Sequence, residues 1–190
     1  MEKKTSLSTR KIVFTALMAA LTVAGSYIRV VLPLSIGGNT AFHLGNIFCA
    51  LSGILLGPWL GGFAAGLGSF LYDIVFFPAY ASEAWITFLT KGAYGVVSGL
   101  IIQLGKREPN YLKSLLATLA GAITYAVLYL AKSYFYSGLL IEGLTPNAAW
   151  IGVIGKLPAT IFNAAVAVIF TPILAVAICK ALKKNHMAME

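Results

Sequence analysis

Six ionisable residues lie inside stretches of the sequence that are otherwise apolar. Lys91 is the clearest case, because it stands within WITFLTKGAYG, residues 85–95. In lipid such a group costs on the order of several kcal/mol unless it is paired, hydrated or faces a cavity, and it commonly marks a site or pathway. The alternative is that a lysine or arginine side chain extends to the headgroup region at the membrane surface. The six residues are Arg29, His43, Asp73, Lys91, Lys132 and Lys156.

Amide and aromatic side chains accompany these ionisable groups. Tyrosine and tryptophan near a membrane surface usually belong to the aromatic belt, but Asn46, Tyr94 and Asn163 lie deeper. We expect a pocket that is closed below and open to the outside. Its cationic residues outnumber its aspartate, so it suits a ligand with a carboxylate or other electron-rich acceptors, although one deprotonated lysine would change that balance. The predicted ligand-binding residues are Asn39, His43, Asn46, Tyr72, Asp73, Trp85, Lys91, Tyr94, Tyr125, Lys132, Lys156 and Asn163.

The sequence has few of the residues that catalysis would need. It contains no glycine-rich phosphate loop, no nucleophilic serine motif and no zinc-binding HExxH motif. His43 and His186 are its histidines, and Cys49 and Cys179 have no metal-ligand spacing, so we predict small buried thiols, no metal site and no catalytic cofactor. An intramembrane enzyme is therefore disfavoured.

The composition predicts an all-α integral membrane protein. Of the 190 residues, 59% are hydrophobic and 11% charged, whereas soluble domains have roughly 25% charged residues. The net charge of +8 comes from clusters beside apolar stretches, which argues against nucleic-acid binding. The first apolar stretch is too long for a cleavable signal peptide.

The apolar stretches predict one membrane domain over 1–190, a bundle of six transmembrane helices. Ten of the fourteen Lys and Arg residues lie before the first helix, in the loop at 105–113 or at the end of the chain. The loops after the first, third and fifth helices contain Glu83 and Glu142 but no Lys or Arg. By the positive-inside rule both termini are cytoplasmic. The predicted helices are 12–34, 42–56, 59–77, 85–104, 112–137 and 149–182.

Small residues recur at four-residue spacing on two of these helices. Ala16, Ala20 and Ala24 form a stripe on the first, and 61–69 of the third is rich in Gly, Ala and Ser. Such stripes let helices pack closely in lipid. We expect the stripe on the third helix to pack within the bundle. The alanine stripe fits either an internal contact or a partner subunit.

Most of the chain resembles the substrate-binding (S) components of energy-coupling factor (ECF) vitamin transporters. The resemblance rests on the alanine stripe after a basic N-terminus and on the segments 42–74, 86–101 and 155–164. These read FHLGNIFCALSGILLGPWLGGFAAGLGSFLYDI, ITFLTKGAYGVVSGLI and GKLPATIFNA. The segment 42–74 is most similar to the broad group that includes riboflavin-type S components. Asn46 stands where members often have an acidic residue.

The resemblance implies a plasma-membrane subunit that captures a water-soluble vitamin or precursor at the outer face, with 33–41 as a lid. It also implies that the alanine stripe docks on a transmembrane scaffold (T) subunit driven by two cytoplasmic ATPases, so that this chain binds no ATP. The absence of ionisable residues from the inner half agrees with a site that has no exit of its own. The alternative function is a self-sufficient secondary transporter or channel for a small organic solute.

Overall fold

The long apolar stretches form six α-helices within the residues that the computed structural model describes, which are 8–34, 36, 39–104 and 109–185. A short β-hairpin joins the first two helices, a 3-10 helix joins the third to the fourth, and a π-helical segment extends the fifth. In chain order the elements are α1 (Thr9–Tyr27), β1 (Arg29–Pro33), β2 (Asn39–His43), α2 (Gly45–Leu56), α3 (Pro58–Val75), the 3-10 helix (Pro78–Glu83), α4 (Ala84–Gln103), α5 (Tyr111–Ala131), the π-helical segment (Lys132–Ile141) and α6 (Pro146–Lys184).

The β-hairpin corrects the predicted extent of the first helix. α1 ends at Tyr27 rather than at 34, and Arg29 begins a strand. The β-branched pair in RVVLP favours extended backbone, and β1 pairs antiparallel with β2, with Arg29 opposite His43. The predicted lid at 33–41 therefore falls partly on the strands, while 35, 37 and 38 lie outside the described residues.

A tight turn joins α2 to α3, and it depends on a glycine. Gly57 has φ +83°, a backbone conformation that side chains with a Cβ rarely adopt. Pro58 follows as the first residue of α3, where its missing N–H costs nothing. α2 begins at Gly45 rather than at 42, and it is buried along almost its whole length.

Glycines bring α2, α3 and α4 into backbone contact. A Cβ on Gly53 would lie 2.1 Å from the carbonyl oxygen of Gly95, and a Cβ on Gly95 would lie 2.9 Å from that of Gly61. Side chains at these positions would force the helices apart. The small-residue stripe of the third helix thus packs inside the bundle, as expected.

The C-terminal half differs from the predicted helices at two ends. The predicted fifth helix, 112–137, is α-helical only as far as Ala131, and the π-helical segment then extends it to Ile141. α6 begins at Pro146 rather than at 149, because the Thr145 hydroxyl accepts a hydrogen bond from the N–H of Ala148 and caps the helix.

Many large apolar side chains on the outside of the helices are exposed, as lipid-facing side chains would be. In the part of the chain that the structure describes, three helical stretches are long and apolar enough to cross a membrane. These are Pro78–Gln103, Tyr111–Ile141 and Pro146–Lys184. α2 is apolar but shorter.

Candidate functional site

A cavity of about 390 Å³ lies at the end of the bundle that carries the β-hairpin. Side chains from the hairpin, the 3-10 helix, the π-helical segment and all the helices except α2 line it. The six ionisable residues come from six different elements, and all of them line this cavity: Arg29, His43, Asp73, Lys91, Lys132 and Lys156.

Lys91 lies on α4 at the cavity wall and is only 4% exposed. Its ammonium group donates a hydrogen bond to Oδ1 of Asn46 and lies 4.0 Å from the centre of the Tyr125 ring. Asp73 is not within ion-pair distance of it, so the partners of the ammonium group are a neutral amide and an aromatic face. Asn46 does not line the cavity but supports the Lys91 side chain from α2.

Three tyrosines form a stacked row from the cavity wall into the bundle. The rings of Tyr125 and Tyr129, one turn apart on α5, are stacked with centres 5.7 Å apart. Tyr94 stacks beneath Tyr125 at 6.0 Å, and it is fully buried with no hydrogen-bond partner for its hydroxyl within the described residues. Tyr125 and Tyr129 therefore offer aromatic surface to a ligand, whereas Tyr94 supports Tyr125.

The π-helical segment contributes further polar groups to the cavity. Lys132 forms an ion pair with Glu83 of the 3-10 helix, and the Ser137 hydroxyl donates to Oε1 of the same carboxylate at 2.9 Å. Lys156 of α6, 5% exposed, donates to Oγ of Ser133 at 3.3 Å. The segment thus connects the 3-10 helix and α6 around the cavity.

Asn163 fastens the β-hairpin to α6. Its Oδ1 accepts a hydrogen bond from the N–H of His43 at 2.9 Å, and its Nδ2 donates to the carbonyl oxygen of Ala41 at 2.8 Å. On the other side, the Tyr80 hydroxyl donates to the carbonyl oxygen of Asn39 at 2.9 Å. The hairpin is therefore held over the cavity by side chains from two different elements.

His43, the last residue of the hairpin, is neutral. Its Nδ1 accepts a hydrogen bond from the N–H of Gly45 at 3.2 Å, which requires an unprotonated Nδ1. Burial, and to a smaller degree the positive charges of Lys91 and Arg29, lower the pKa of His43 well below its ordinary value. The histidine therefore adds no charge to the cavity at neutral pH.

Arg29 is a cavity residue that the sequence did not identify as ligand-binding, because it was expected near the end of a helix. As the first residue of β1 it donates to the Tyr72 hydroxyl at 3.1 Å and lies 4.3 Å from the centre of the Phe77 ring. Other polar residues of the lining were also absent from the predicted ligand-binding set. Only Tyr129 had a signal in the sequence, because it follows Tyr125 by four residues and so shares its helix face. The absent residues are Ser26, Thr40, Ser69, Tyr80, Ser82, Glu83, Thr87, Thr90, Tyr129, Ser137, Glu142 and Thr160.

Trp85 lies outside the cavity. It is 52% exposed, contacts the ring of Tyr136 edge-to-face at 6.0 Å, and borders a separate apolar groove between α3 and α4. With Asn46 and Tyr94 it is one of three predicted ligand-binding residues outside the lining. The nine predicted residues that do line the cavity are Asn39, His43, Tyr72, Asp73, Lys91, Tyr125, Lys132, Lys156 and Asn163.

Two further features concern metals and partners. No cluster of three His, Cys, Asp or Glu side chains suited to a metal occurs in the described ranges, and His186 lies outside them.

Ala16, Ala20 and Ala24 are all exposed, while the opposite face of α1 is buried in the bundle. The alanine stripe therefore lies on the outer surface of the bundle rather than on the face of α1 that packs against other helices.

Two comparisons with individual proteins bear on the family. A protein of Pyrococcus woesei described as "Uncharacterized protein in gap 3'region" is 34% identical over 119 residues, covering 63% of this chain and 74% of that one. The crystal structure of the S component for biotin from an ECF-type ABC transporter superposes with a TM-score of 0.58 at 16% identity, covering 89% of this chain and 94% of that one. At that identity the second likeness shows a shared fold.

The match to a family model covers nearly the whole chain, including every element around the cavity. Residues 6–184 match the model described as "ECF-type riboflavin transporter, S component". The chain is therefore a member of the family of ECF-type riboflavin transporter S components.

Proposed function

We propose that this protein captures a water-soluble vitamin or vitamin precursor in the cavity beneath the β-hairpin. The observation that carries the proposal is the convergence of six ionisable side chains from six elements on one cavity of about 390 Å³. Snorkelling side chains would instead spread around the bundle toward the headgroups. Membership in the S-component family and the fold shared with a biotin S component support the same function.

In this proposal the cavity residues have different roles. Lys91, Asp73 and Lys156 anchor polar groups of the ligand, Asn163 holds the hairpin, and the Tyr125–Tyr129 pair offers a stacking surface. Asn39, His43, Tyr72 and Lys132 complete the polar lining, while Asn46 and Tyr94 support it from outside. Trp85 is left as a lipid-facing residue at the membrane surface.

The cavity opens to the outside of the cell in a bundle of six spans with both termini in the cytoplasm. The distribution of Lys and Arg supports this orientation, because Lys180, Lys183 and Lys184 end the chain while the hairpin end of the bundle carries Glu83 and Glu142 in its loops. The plasma membrane is the corresponding location.

Cysteine labelling tests the orientation. In a variant that lacks Cys49 and Cys179, we expect a membrane-impermeant maleimide to label Glu142→Cys on intact cells, because Glu142 is exposed at the hairpin end. Lys184→Cys, exposed at the other end of α6, should react only after permeabilisation. The reverse pattern would show that the cavity faces the cytoplasm.

Delivery of the ligand requires an ECF module, made of a T subunit and two cytoplasmic ATPases. The exposed stripe of Ala16, Ala20 and Ala24 supports docking on the T subunit, because small residues permit close approach of another helix in lipid. This chain is not the ATP-hydrolysing subunit.

Reconstitution in liposomes tests the whole proposal. The purified chain alone should bind a radiolabelled vitamin without accumulating it, and the chain with the ECF module should accumulate it when ATP is supplied on the module's side. A non-hydrolysable ATP analogue serves as the control. Accumulation by the chain alone would contradict the proposal and support a self-sufficient secondary transporter, and turnover of the ligand would support an enzyme.

A further inference from the structure

The charges that line the cavity are unevenly balanced, and this imbalance bears on the chemical class of the ligand. Lys132 and Glu83 neutralise each other as an ion pair. Glu142 is exposed at the rim, where water screens its charge. Within the described lining, this leaves Arg29, Lys91, Lys156 and Asp73.

The two lysines are buried against neutral partners. The ammonium group of Lys91 donates to the Asn46 amide, and that of Lys156 donates to the Ser133 hydroxyl. Each ammonium has three N–H donors, so each retains hydrogen-bonding capacity. No carboxylate of the described residues lies within ion-pair distance of either lysine. Buried charges without a counter-charge are costly, and here they border an open cavity.

The remaining cation and the remaining carboxylate do not restore the balance. Arg29 donates to the Tyr72 hydroxyl, again a neutral partner, and lies over the Phe77 ring. Asp73 is therefore one buried carboxylate against three cations in the described lining. The inner part of the cavity carries a net positive charge whenever its lysines are protonated.

We propose that the ligand carries a carboxylate, which the positive charges of Lys91 and Lys156 attract into the inner part of the cavity. Both lysines border the stacked row of tyrosines: Lys91 lies 4.0 Å from the centre of the Tyr125 ring, and Lys156 lies 6.0 Å from that of the Tyr129 ring. An organic acid with a flat or apolar body would thus meet a tyrosine ring while its carboxylate meets one of the lysines. This inference rests on the proposed function.

The position of the lysines differs from that of a phosphate site at a helix N-terminus. Such sites commonly use the free backbone N–H groups of the first helical turn. Lys91 and Lys156 instead lie about two and about three turns into their helices, where the backbone N–H groups are already bonded within the helix.

Matched pairs of compounds test this inference on the detergent-purified protein. Each pair has one body with either a carboxylate or its amide or alcohol: nicotinate and nicotinamide, pantothenate and pantothenol, biotin and biotinamide, with riboflavin as a neutral reference. Isothermal titration calorimetry should find an acid that binds at least tenfold more tightly than its neutral counterpart. Tighter binding of riboflavin or of a neutral counterpart would overturn this inference and leave the proposed function standing. Failure of every compound to bind would contradict both.

The Asn46→Asp variant tests the role of Lys91 directly. It places a carboxylate of nearly the same shape beside the ammonium group, so the affinity for the acid should fall at least tenfold while that for its neutral counterpart changes less than threefold. Lys156→Met should shift the same ratio in the same direction. An unchanged ratio of acid to neutral affinity in both variants would overturn the inference.

The chain offers a matched control for this charge change. Asn110 caps α5 by accepting a hydrogen bond from the N–H of Lys113 at 2.8 Å, and it does not line the cavity. Because aspartate caps helices as well as asparagine, Asn110→Asp should fold normally and leave the affinity ratio unchanged. A ratio that falls equally in Asn110→Asp would show that net charge, rather than the lysine site, governs binding.

Discussion

At the scale of single residues, Lys91 shows how a membrane protein accommodates a buried charge. Its ammonium group does not reach a headgroup region, because the side chain is 4% exposed and ends between an amide oxygen and an aromatic ring. A cation against a desolvated aromatic face gains about 2 kcal/mol. That is less than the cost of burying an unpaired ammonium, so the contacts fit a group that also meets a ligand or water in the cavity.

Replacing Lys91 by methionine should separate binding from folding. Lys91→Met keeps the length and apolar stem of the side chain, so the variant should insert and fold normally, yet bind the ligand at least tenfold more weakly. Calorimetry on the purified protein measures the affinity, and size-exclusion chromatography verifies folding.

The control for this variant is Lys180→Met, at the exposed end of α6. It should bind like the unmodified protein. Unchanged affinity in Lys91→Met would mean that this lysine has no part in binding and that its role is structural.

At the scale of elements, the β-hairpin is the part of the fold that can cover the cavity. It is two strands held by side-chain bonds from α6 and from the 3-10 helix, and an isolated two-stranded hairpin is marginally stable at best. Its position therefore depends on those bonds. We therefore propose that the hairpin acts as the lid and that its detachment opens the site.

Replacing Asn163 by leucine should loosen the hairpin. The variant leaves the N–H of His43 and the carbonyl of Ala41 without their partner, which costs about 1–3 kcal/mol for each group that stays buried. Hydrogen exchange measured by mass spectrometry should become at least tenfold faster in peptides covering 39–43, and ligand dissociation should become faster as well.

Asn185→Leu is the matched control for this change. Its amide also donates to a backbone carbonyl, that of Ala181 at 2.9 Å, but at the exposed end of α6. Exchange in the hairpin should be unaffected by it. Equal protection of 39–43 in Asn163→Leu and the unmodified protein would contradict the role of Asn163.

At the scale of the whole molecule, the glycine contacts among α2, α3 and α4 give the bundle a closely packed half. Lipid provides no hydrophobic drive for helix association, so van der Waals contact between backbones must supply much of the stability. α5 and α6 complete the cavity against this half, and α6 contains Pro158 and Pro172 within its length. The cavity therefore lies between a tightly packed set of helices and a less regular one.

Two glycines on α4 give a matched test of this packing. In Gly95→Ala the new Cβ would lie 2.9 Å from backbone atoms of Gly61 and Gly62, so α3 and α4 must separate. Such overpacking typically costs about 1–3 kcal/mol, and thermal unfolding in detergent should show a lowered Tm.

Gly92, on the same helix, is the control. A Cβ there meets the carbonyl oxygen of Gly62 at 3.4 Å, an ordinary contact. Gly92→Ala should keep or raise the Tm, because alanine favours helix more than glycine does. An equal fall in both variants would contradict this account, because Gly92→Ala brings no backbone atoms of α3 and α4 into collision.

Composition and hydropathy were sufficient to predict a helical membrane protein and most helix positions, because lipid obliges apolar segments to satisfy their backbone hydrogen bonds as helices. The same pattern predicted which ionisable residues share one end of the bundle, since depth follows from the helical rise. It failed at Arg29, where a strand replaced the last turns of the first helix. The apolar character of 29–33 is the same in either conformation, and the strand exists only because β2 is there to pair with it.

The sequence by itself therefore determined three things. The protein is surrounded by lipid, the six ionisable residues within its apolar stretches lie at one end of the bundle, and the small-residue stripe on α3 packs inside it. Tertiary structure alone decided which groups meet: Lys91 with Asn46 rather than Asp73, Lys132 with Glu83, and Asn163 with the hairpin. The physical reason is that depth along a helix depends on the chain's own spacing, whereas a side chain's partner depends on helix rotation, and the packing of neighbouring helices sets that rotation.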